Sequence, residues 1–310
     1  MQKLSVVCPV YNEADIIGEF YIELTNVLAN LNNYTYEIIF VVDKCQDQTW
    51  HILSNLAQSD GHLKLLLLSK RFGHQMSLVA GVDHSSGDVI IMMDSDLQHP
   101  PSLIPAMLGK YESGYDIVFT VRDDSQNIGF IKRNVSKLYY NTFNYFANIE
   151  ISSSSSDFRL ISKEVAEVFR NNIREPNQFL RGLYSWVGFN STSVNFVTAK
   201  REKGKSKYNM RKSLELAISG MLAFSTVPLR FVAVMGVIIA LMSFIYSIAI
   251  FIKYLLYGIP VQGWISLGML VSFLGGLQLL AFGVIGEYIG GIFEAVKNRP
   301  LYIVESSINI

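Results

Sequence analysis

Asp94, Ser95, Asp96 and Gln98 are the residues of this chain whose types and spacing could do chemistry most directly. They follow the all-apolar run Val89-Ile90-Ile91-Met92-Met93, so two carboxylates at i, i+2 and a side-chain amide stand just beyond a buried strand. Alternate side chains of an extended segment point the same way, which lets Asp94 and Asp96 grip one hard cation. Such a cation prefers oxygen ligands and commonly keeps substrate phosphates as its other partners. Open parallel sheets bind ligands beyond the carboxyl ends of their strands, where this triplet falls. The alternative is an acidic loop without a ligand, and for an isolated Asp-x-Asp that is the commoner case.

The elements that must position these groups alternate. Leu4–Pro9, Glu37–Asp43, Lys64–Ser69, Val89–Asp94 and Asp116–Val121 read as strands. Glu13–Leu31, Thr49–Gln58, His74–His84 and Ser102–Ser113 read as the helices between them. That order predicts an α/β domain with a mostly parallel sheet and helices on both faces. Its functional edge would gather Tyr11-Asn12-Glu13, Asp43 to Asp47, Arg71 to Gln75, Asp94 to Gln98 and Arg122. His74 and Gln75 either sit over a ligand there or simply open the helix after the third strand. The run Ser152 to Ser156 reads as a turn or loop.

The chain has 310 residues, 50% of them hydrophobic and 17% charged, with zero formal net charge. Its mean hydropathy is +0.28. Nothing in that balance suggests nucleic acid as a partner. The apolar excess is concentrated late. Phe231–Ile252 and Trp264–Gly286 are runs of 22 and 23 residues without a charge. As helices each would span roughly 33 Å, enough for a hydrocarbon core of about 30 Å. Arg201, Lys203, Lys205, Lys207, Arg211, Lys212 and Arg230 precede the first run, and Lys297 and Arg299 follow the second. The positive-inside rule therefore puts both termini in the cytoplasm, giving a multi-pass protein of the inner membrane. Asn209–Phe224 reads as an amphipathic helix lying on membrane lipids. The expected organisation is a cytoplasmic domain over 1–200, a basic juxtamembrane segment over 201–226, two membrane helices over 227–290 and a cytoplasmic tail over 291–310. The amino terminus reads as a strand and not as a signal peptide. Cys8 and Cys45 are expected as free thiols.

Cys8-Pro9-Val10-Tyr11-Asn12-Glu13, the strand ending at Asp43 and Asp94-Ser95-Asp96-Leu97-Gln98 resemble the family-two glycosyltransferases. Phe72-Gly73-His74-Gln75, Gln98-His99-Pro100-Pro101, Asp157-Phe158-Arg159-Leu160, Phe179-Leu180-Arg181-Gly182 and Ser225-Thr226-Val227-Pro228-Leu229-Arg230 narrow the resemblance to polyisoprenyl-phosphate glycosyltransferases. The resemblance implies a glycosyltransferase-A, Rossmann-like catalytic domain, then interfacial amphipathic helices and a carboxy-terminal two-helix transmembrane hairpin. It also implies a nucleotide-sugar donor, a polyprenyl phosphate acceptor and a Mg2+ or Mn2+ cofactor. Pro9, Tyr11, Asn12, Glu13 and Asp43 would hold the nucleotide. Asp94, Ser95, Asp96 and Gln98 would hold the donor phosphates, with Asp94, Asp96 and Gln98 on the metal. Asp157 is the carboxylate that the resemblance nominates as catalytic, and Arg181 would face the leaving diphosphate. The chain departs from the family's usual Asp-Asp-Gly-Ser after the second strand, having Val42-Asp43-Lys44-Cys45 instead.

A phosphate monoester has its second pKa near ~6, so a lipid phosphate is already a nucleophile at neutral pH. Such a reaction needs no strong general base. It needs cations against the repulsion between acceptor and donor phosphates, for which Arg122, Arg133, Arg201 and Lys205 are the candidates. One direct displacement would invert the sugar's configuration. By that argument Asp157 orients substrate, while a turn carboxylate ordering the serine-rich loop is its plainer alternative. Assembly of hairpins into a homo-oligomer is also expected. Two other functions remain open at this stage: a processive polysaccharide synthase, and a membrane module that binds nucleotide without turnover.

Overall fold

Long apolar runs without alternation are what a parallel sheet covered on both faces demands, and β1 (Gln2–Val10) is buried continuously from Leu4 to Val10. In this computed structural model the described residues are 1–122, 155–176, 178–196, 227–257 and 263–310. In chain order β1 is followed by α1 (Ile17–Ala29), β2 (Tyr34–Val42), α2 (Thr49–Ser59), β3 (Leu63–Leu68), α3 (His74–His84), β4 (Val89–Met92), α4 (Ile104–Glu112) and β5 (Ile117–Arg122). Next come β6 (Ser155–Ser162), α5 (Lys163–Asn171), α6 (Leu180–Trp186), β7 (Ser191–Phe196), α7 (Val227–Tyr257), α8 (Trp264–Val296) and β8 (Val304–Ile308). The chain divides into a unit of residues 1–207 with 299–310 and a second unit of residues 208–298.

The first unit carries an eight-stranded sheet in the order β7-β5-β6-β4-β1-β2-β3-β8. β1 pairs in parallel with β2 and β4, and β2 with β3, while β6 runs antiparallel between β4 and β5. The five strands and four helices read from the early sequence are all present. One reading is corrected in part: Ser155 and Ser156 belong to β6, with Ser155 paired to Val121 of β5, while 152–154 lie outside the described residues. Within the expected tail, β8 pairs antiparallel with β3.

Helix α3 needs a close approach to the sheet. A Cβ on Gly81 would lie 2.1 Å from Val7 Cγ1 and 3.2 Å from Val41 Cγ2, so only glycine lets this turn rest on β1 and β2. Arg170 of α5 fastens the far end of α3 by donating to the carbonyls of Val82 and Ser85. At the amino end of the strands, buried Glu37 accepts from Ser5 Oγ (2.6 Å) and the Ser86 amide (2.8 Å), and pairs with Lys3 and Lys64. Burial would raise its pKa, but those donors and cations outweigh it and bring the carboxyl down to about 2.

In the second unit α7 and α8 have 31 and 33 residues. None of their described side chains is buried, and Phe231, Leu241, Phe244, Phe273 and Phe282 are all exposed. A helix apolar all round and uncovered by protein is suited to lipid.

Candidate active site

The loops after β1, β2, β3 and β4 each turn through one residue of positive φ: Asn12 (55°), Lys44 (38°), Gly73 (95°) and Leu97 (58°). Glycine and asparagine accept this backbone readily, whereas a left-handed leucine costs about 1–2 kcal/mol. Such strain collects where a site must be built.

Side chains stitch these loops together. Asn12 Oδ1 accepts the Gln46 amide at 2.8 Å, and the Asn12 amide donates to Cys45 Sγ at 3.1 Å. The Glu13 amide donates to Thr49 Oγ1 at 3.0 Å. Both carboxylate oxygens of buried Asp43 are taken by the amides of Phe72 (2.7 Å) and Gly73 (2.9 Å), so this residue fixes the entry to α3. The Arg71 guanidinium lies 4.0 Å over the Tyr11 ring. Lys44, where the family usually has glycine, pairs with Glu305 of β8. Cys8 and Cys45 are free thiols.

The acidic centre follows from sheet register. Ser95 is buried and donates its hydroxyl to the Pro9 carbonyl, while Asp94 and Asp96 on either side are half-exposed. Asp96 Oδ1 accepts the Gln98 amide, which closes the turn. Because β6 is antiparallel, its first residues lie at the carboxyl end of β4, and Met92 pairs with Arg159. Two more residues along the same register Asp94 faces Asp157. His74, the first residue of α3, puts Nε2 at 3.5 Å from Asp94 Oδ1 and 3.5 Å from Asp157 Oδ2. Arg181 of α6 grips Asp157 with two donors, at 2.8 and 2.9 Å. Buried Arg159 adds a third at 3.2 Å.

Burial opposes the charge on Asp157, but the contacts with His74, Arg181 and Arg159 hold its carboxyl well below the usual range. Burial likewise opposes protonation of His74, and the two carboxylates overcome it and raise its pKa. Behind Asp94, His99 is buried. Its Nδ1 accepts the Asp94 amide at 3.0 Å, and its Nε2 meets Ser156 Oγ at 2.6 Å.

The donor set fits a hard divalent ion. Asp94 and Asp96 are two half-exposed carboxylates on one loop, followed by the amide side chain of Gln98. Among the described residues no group of three or more His, Cys, Asp or Glu side chains is placed to hold a metal ion. Mg2+ is commonly bound by one or two carboxylates and completes its shell with substrate phosphate, and two carboxylates on this loop match that donor count.

Of the other sequence candidates, Arg122 ends β5, and Arg133, Arg201 and Lys205 lie outside the described residues, as does the Asn209–Phe224 helix. The sequence candidate Arg181 reaches the acidic centre, while buried Gln178, three residues before it, donates to the Ile173 carbonyl. Sequence reading did not single out His99, Ser156 or Arg159 for a role. The local signal was present, since His99 follows Gln98, and Ser156 and Arg159 flank Asp157.

This sheet order, with an Asp-x-Asp at the carboxyl end of β4 and a second carboxylate arriving on an antiparallel neighbour, defines a glycosyltransferase-A fold enzyme. The chain belongs to Glycosyl transferase family 2, whose family model matches residues 5–169. It is 40% identical over 305 residues to the SfII prophage-derived bactoprenol glucosyl transferase of Shigella flexneri, covering 98% of each chain. It is 38% identical over 306 residues to a prophage bactoprenol glucosyl transferase homolog of Escherichia coli, again covering 98% of each. An uncharacterized glycosyltransferase of Synechocystis is 38% identical over 302 residues, 97% of this chain and 94% of that one. The resemblance read from the motifs is thus borne out, and the chain is a glycosyltransferase.

Proposed function

We propose that this enzyme transfers a hexose from a nucleotide sugar, UDP-linked, to a polyprenyl phosphate such as undecaprenyl or dolichyl phosphate. The reaction inverts the sugar, depends on Mg2+ or Mn2+ and occurs at the cytoplasmic membrane face. Its product is a polyprenyl-phosphate sugar for cell-envelope glycan modification. The observation that carries this reading is the meeting of Asp94 and Asp157 at His74, in a chain that also has two lipid-suited helices. The bactoprenol glucosyl transferases that match it along nearly their whole length support the acceptor class.

In this reading the loops of Pro9 to Glu13 and Asp43 to Asp47 hold the nucleotide, with Tyr11 and Arg71 as a stacked platform. Asp94, Asp96 and Gln98 would hold the divalent ion, which when bound supplies Lewis-acid neutralisation of the leaving diphosphate. Asp157 stays ionised in the grip of Arg181 and Arg159, so it orients the sugar and takes no proton from an acceptor that is already anionic. Arg122, Arg133, Arg201 and Lys205 are the cations proposed for the acceptor phosphate. Sheet pairing of β8 with β3 supports this topology, since the chain leaves one sheet, runs through two apolar helices and returns to the same sheet.

The test is to incubate the full chain in detergent with Mn2+, a panel of nucleotide sugars and a polyprenyl phosphate. A lipid carrying one sugar is expected. Polymer would favour a processive synthase, and nucleotide binding without turnover would favour a non-catalytic module.

A further inference from the structure

We propose that His99 and Ser156 form a brace that sets the spacing of Asp94 and Asp157, and that both are positioning residues for the transfer. The inference rests on the glycosyl-transfer reading above and deepens it. The ring of His99 is 2% exposed. It lies against the Phe158 ring with 5.3 Å between centroids and meets Phe196 edge-on at 6.1 Å, so its plane is fixed by packing. A backbone amide can only donate. The 3.0 Å contact from the Asp94 amide therefore requires a bare lone pair on Nδ1, and the ring proton must sit on Nε2. That proton is donated to Ser156 Oγ at 2.6 Å, and the same oxygen accepts the Phe158 amide at 3.3 Å. One imidazole thus joins the backbone of the residue that starts the Asp-x-Asp loop to the side chain immediately before Asp157.

The brace spans a junction that the sheet does not hold. Pairing between β4 and β6 ends at Met92 and Arg159, and the two carboxylates stand beyond it. Their charges repel, and His74 lies between them at 3.5 Å from each, longer than a strong hydrogen bond. His99 supplies a short link on the buried side of the same junction. Its two nitrogens have separate duties. Nδ1 orients the Asp94 loop, and hence cation binding. Nε2 orients Ser156, and hence Asp157.

These duties separate experimentally in the full chain in detergent. His99→Asn keeps an acceptor near the Nδ1 position and loses the reach to Ser156. His99→Gln keeps a donor near Nε2 and loses the acceptor. Mn2+ affinity, read from the electron paramagnetic resonance of free Mn2+ without any substrate, should weaken about 10-fold in His99→Gln and stay within about twofold of wild type in His99→Asn and Ser156→Ala. In transfer assays kcat should fall about 10- to 100-fold in His99→Asn and Ser156→Ala alike, with donor KM little changed, and the double variant should lose no more than either single. Wild-type kcat in Ser156→Ala, which removes one oxygen and leaves the ring in place, overturns the proposal even if the His99 variants fail to fold. So does equal loss of Mn2+ affinity in both His99 variants. If the wild-type chain transfers no sugar, the functional reading fails separately, while the Mn2+ measurements still decide the His99 duty on the Asp94 loop.

Discussion

Asp94 and Asp157 face each other across the continuation of the β4–β6 register, with a carboxylate oxygen of each 3.5 Å from His74 Nε2. Two carboxylates this close would drive up each other's pKa unless cations intervened. Asp157 is answered by the Arg181 fork and by Arg159, while His74 and His99 each lie 3.5 Å from Asp94.

The fork makes the first prediction. Arg181→Lys keeps one positive charge and loses the planar two-point grip on Asp157. Steady-state kinetics should show kcat lowered about 10- to 100-fold, with donor KM within about threefold. An unchanged kcat would mean that Asp157 needs no orientation.

Glu37 makes the second, on stability. Its carboxyl falls from 4.5 unfolded to about 2 folded, a difference of roughly 3 kcal/mol. For a depressed acid that contribution is complete above pH 4.5 and is lost as pH falls toward 2. Thermal melts of the full chain in detergent should therefore show Glu37→Gln less stable than wild type at pH 6. The gap should close between pH 4.5 and 2.

Gly81 tests how α3 is seated. Overpacking in Gly81→Ala should cost about 1–3 kcal/mol, because the new methyl meets Val7. Val7→Ala removes that obstacle. The double variant should melt above the sum of the two single losses, whereas additive losses would show that the contact does not matter.

Topology gives the fourth. In a Cys45→Ser background, Ser306→Cys on the exposed strand β8 should react with a membrane-impermeant maleimide only in inverted vesicles. Gln262→Cys, between the two long helices, should react only in intact cells. Labelling of both from one side would contradict the paired-crossing account.

Much of this was legible in the sequence. The alternation from Leu4 to Val121 gave four parallel strands and their helices because buried runs and amphipathic stretches differ in period. The Asp-x-Asp loop was legible because it directly follows such a run. What was hidden depends on pairing between distant segments. Nothing local ties Asp157 to Asp94, and the end of the serine run enters a strand whose partners, β4 and β5, are distant in sequence. The same is true of β8, whose Val-Glu-Ser-Ser-Ile is barely apolar and is held by the edge of β3. Asp43 was readable as a site residue, but its hold on the Phe72 and Gly73 amides required the fold.

The central claim is a single displacement by a lipid phosphate at the Asp94–Asp96 loop, and the anomeric configuration of the product tests it most directly. Nuclear magnetic resonance of the lipid-linked sugar made from an α-linked UDP-hexose with Mn2+ should show only the β-phosphate product, and Asp96→Ala should abolish it. A product of retained configuration, or undiminished product from Asp96→Ala, would contradict the account.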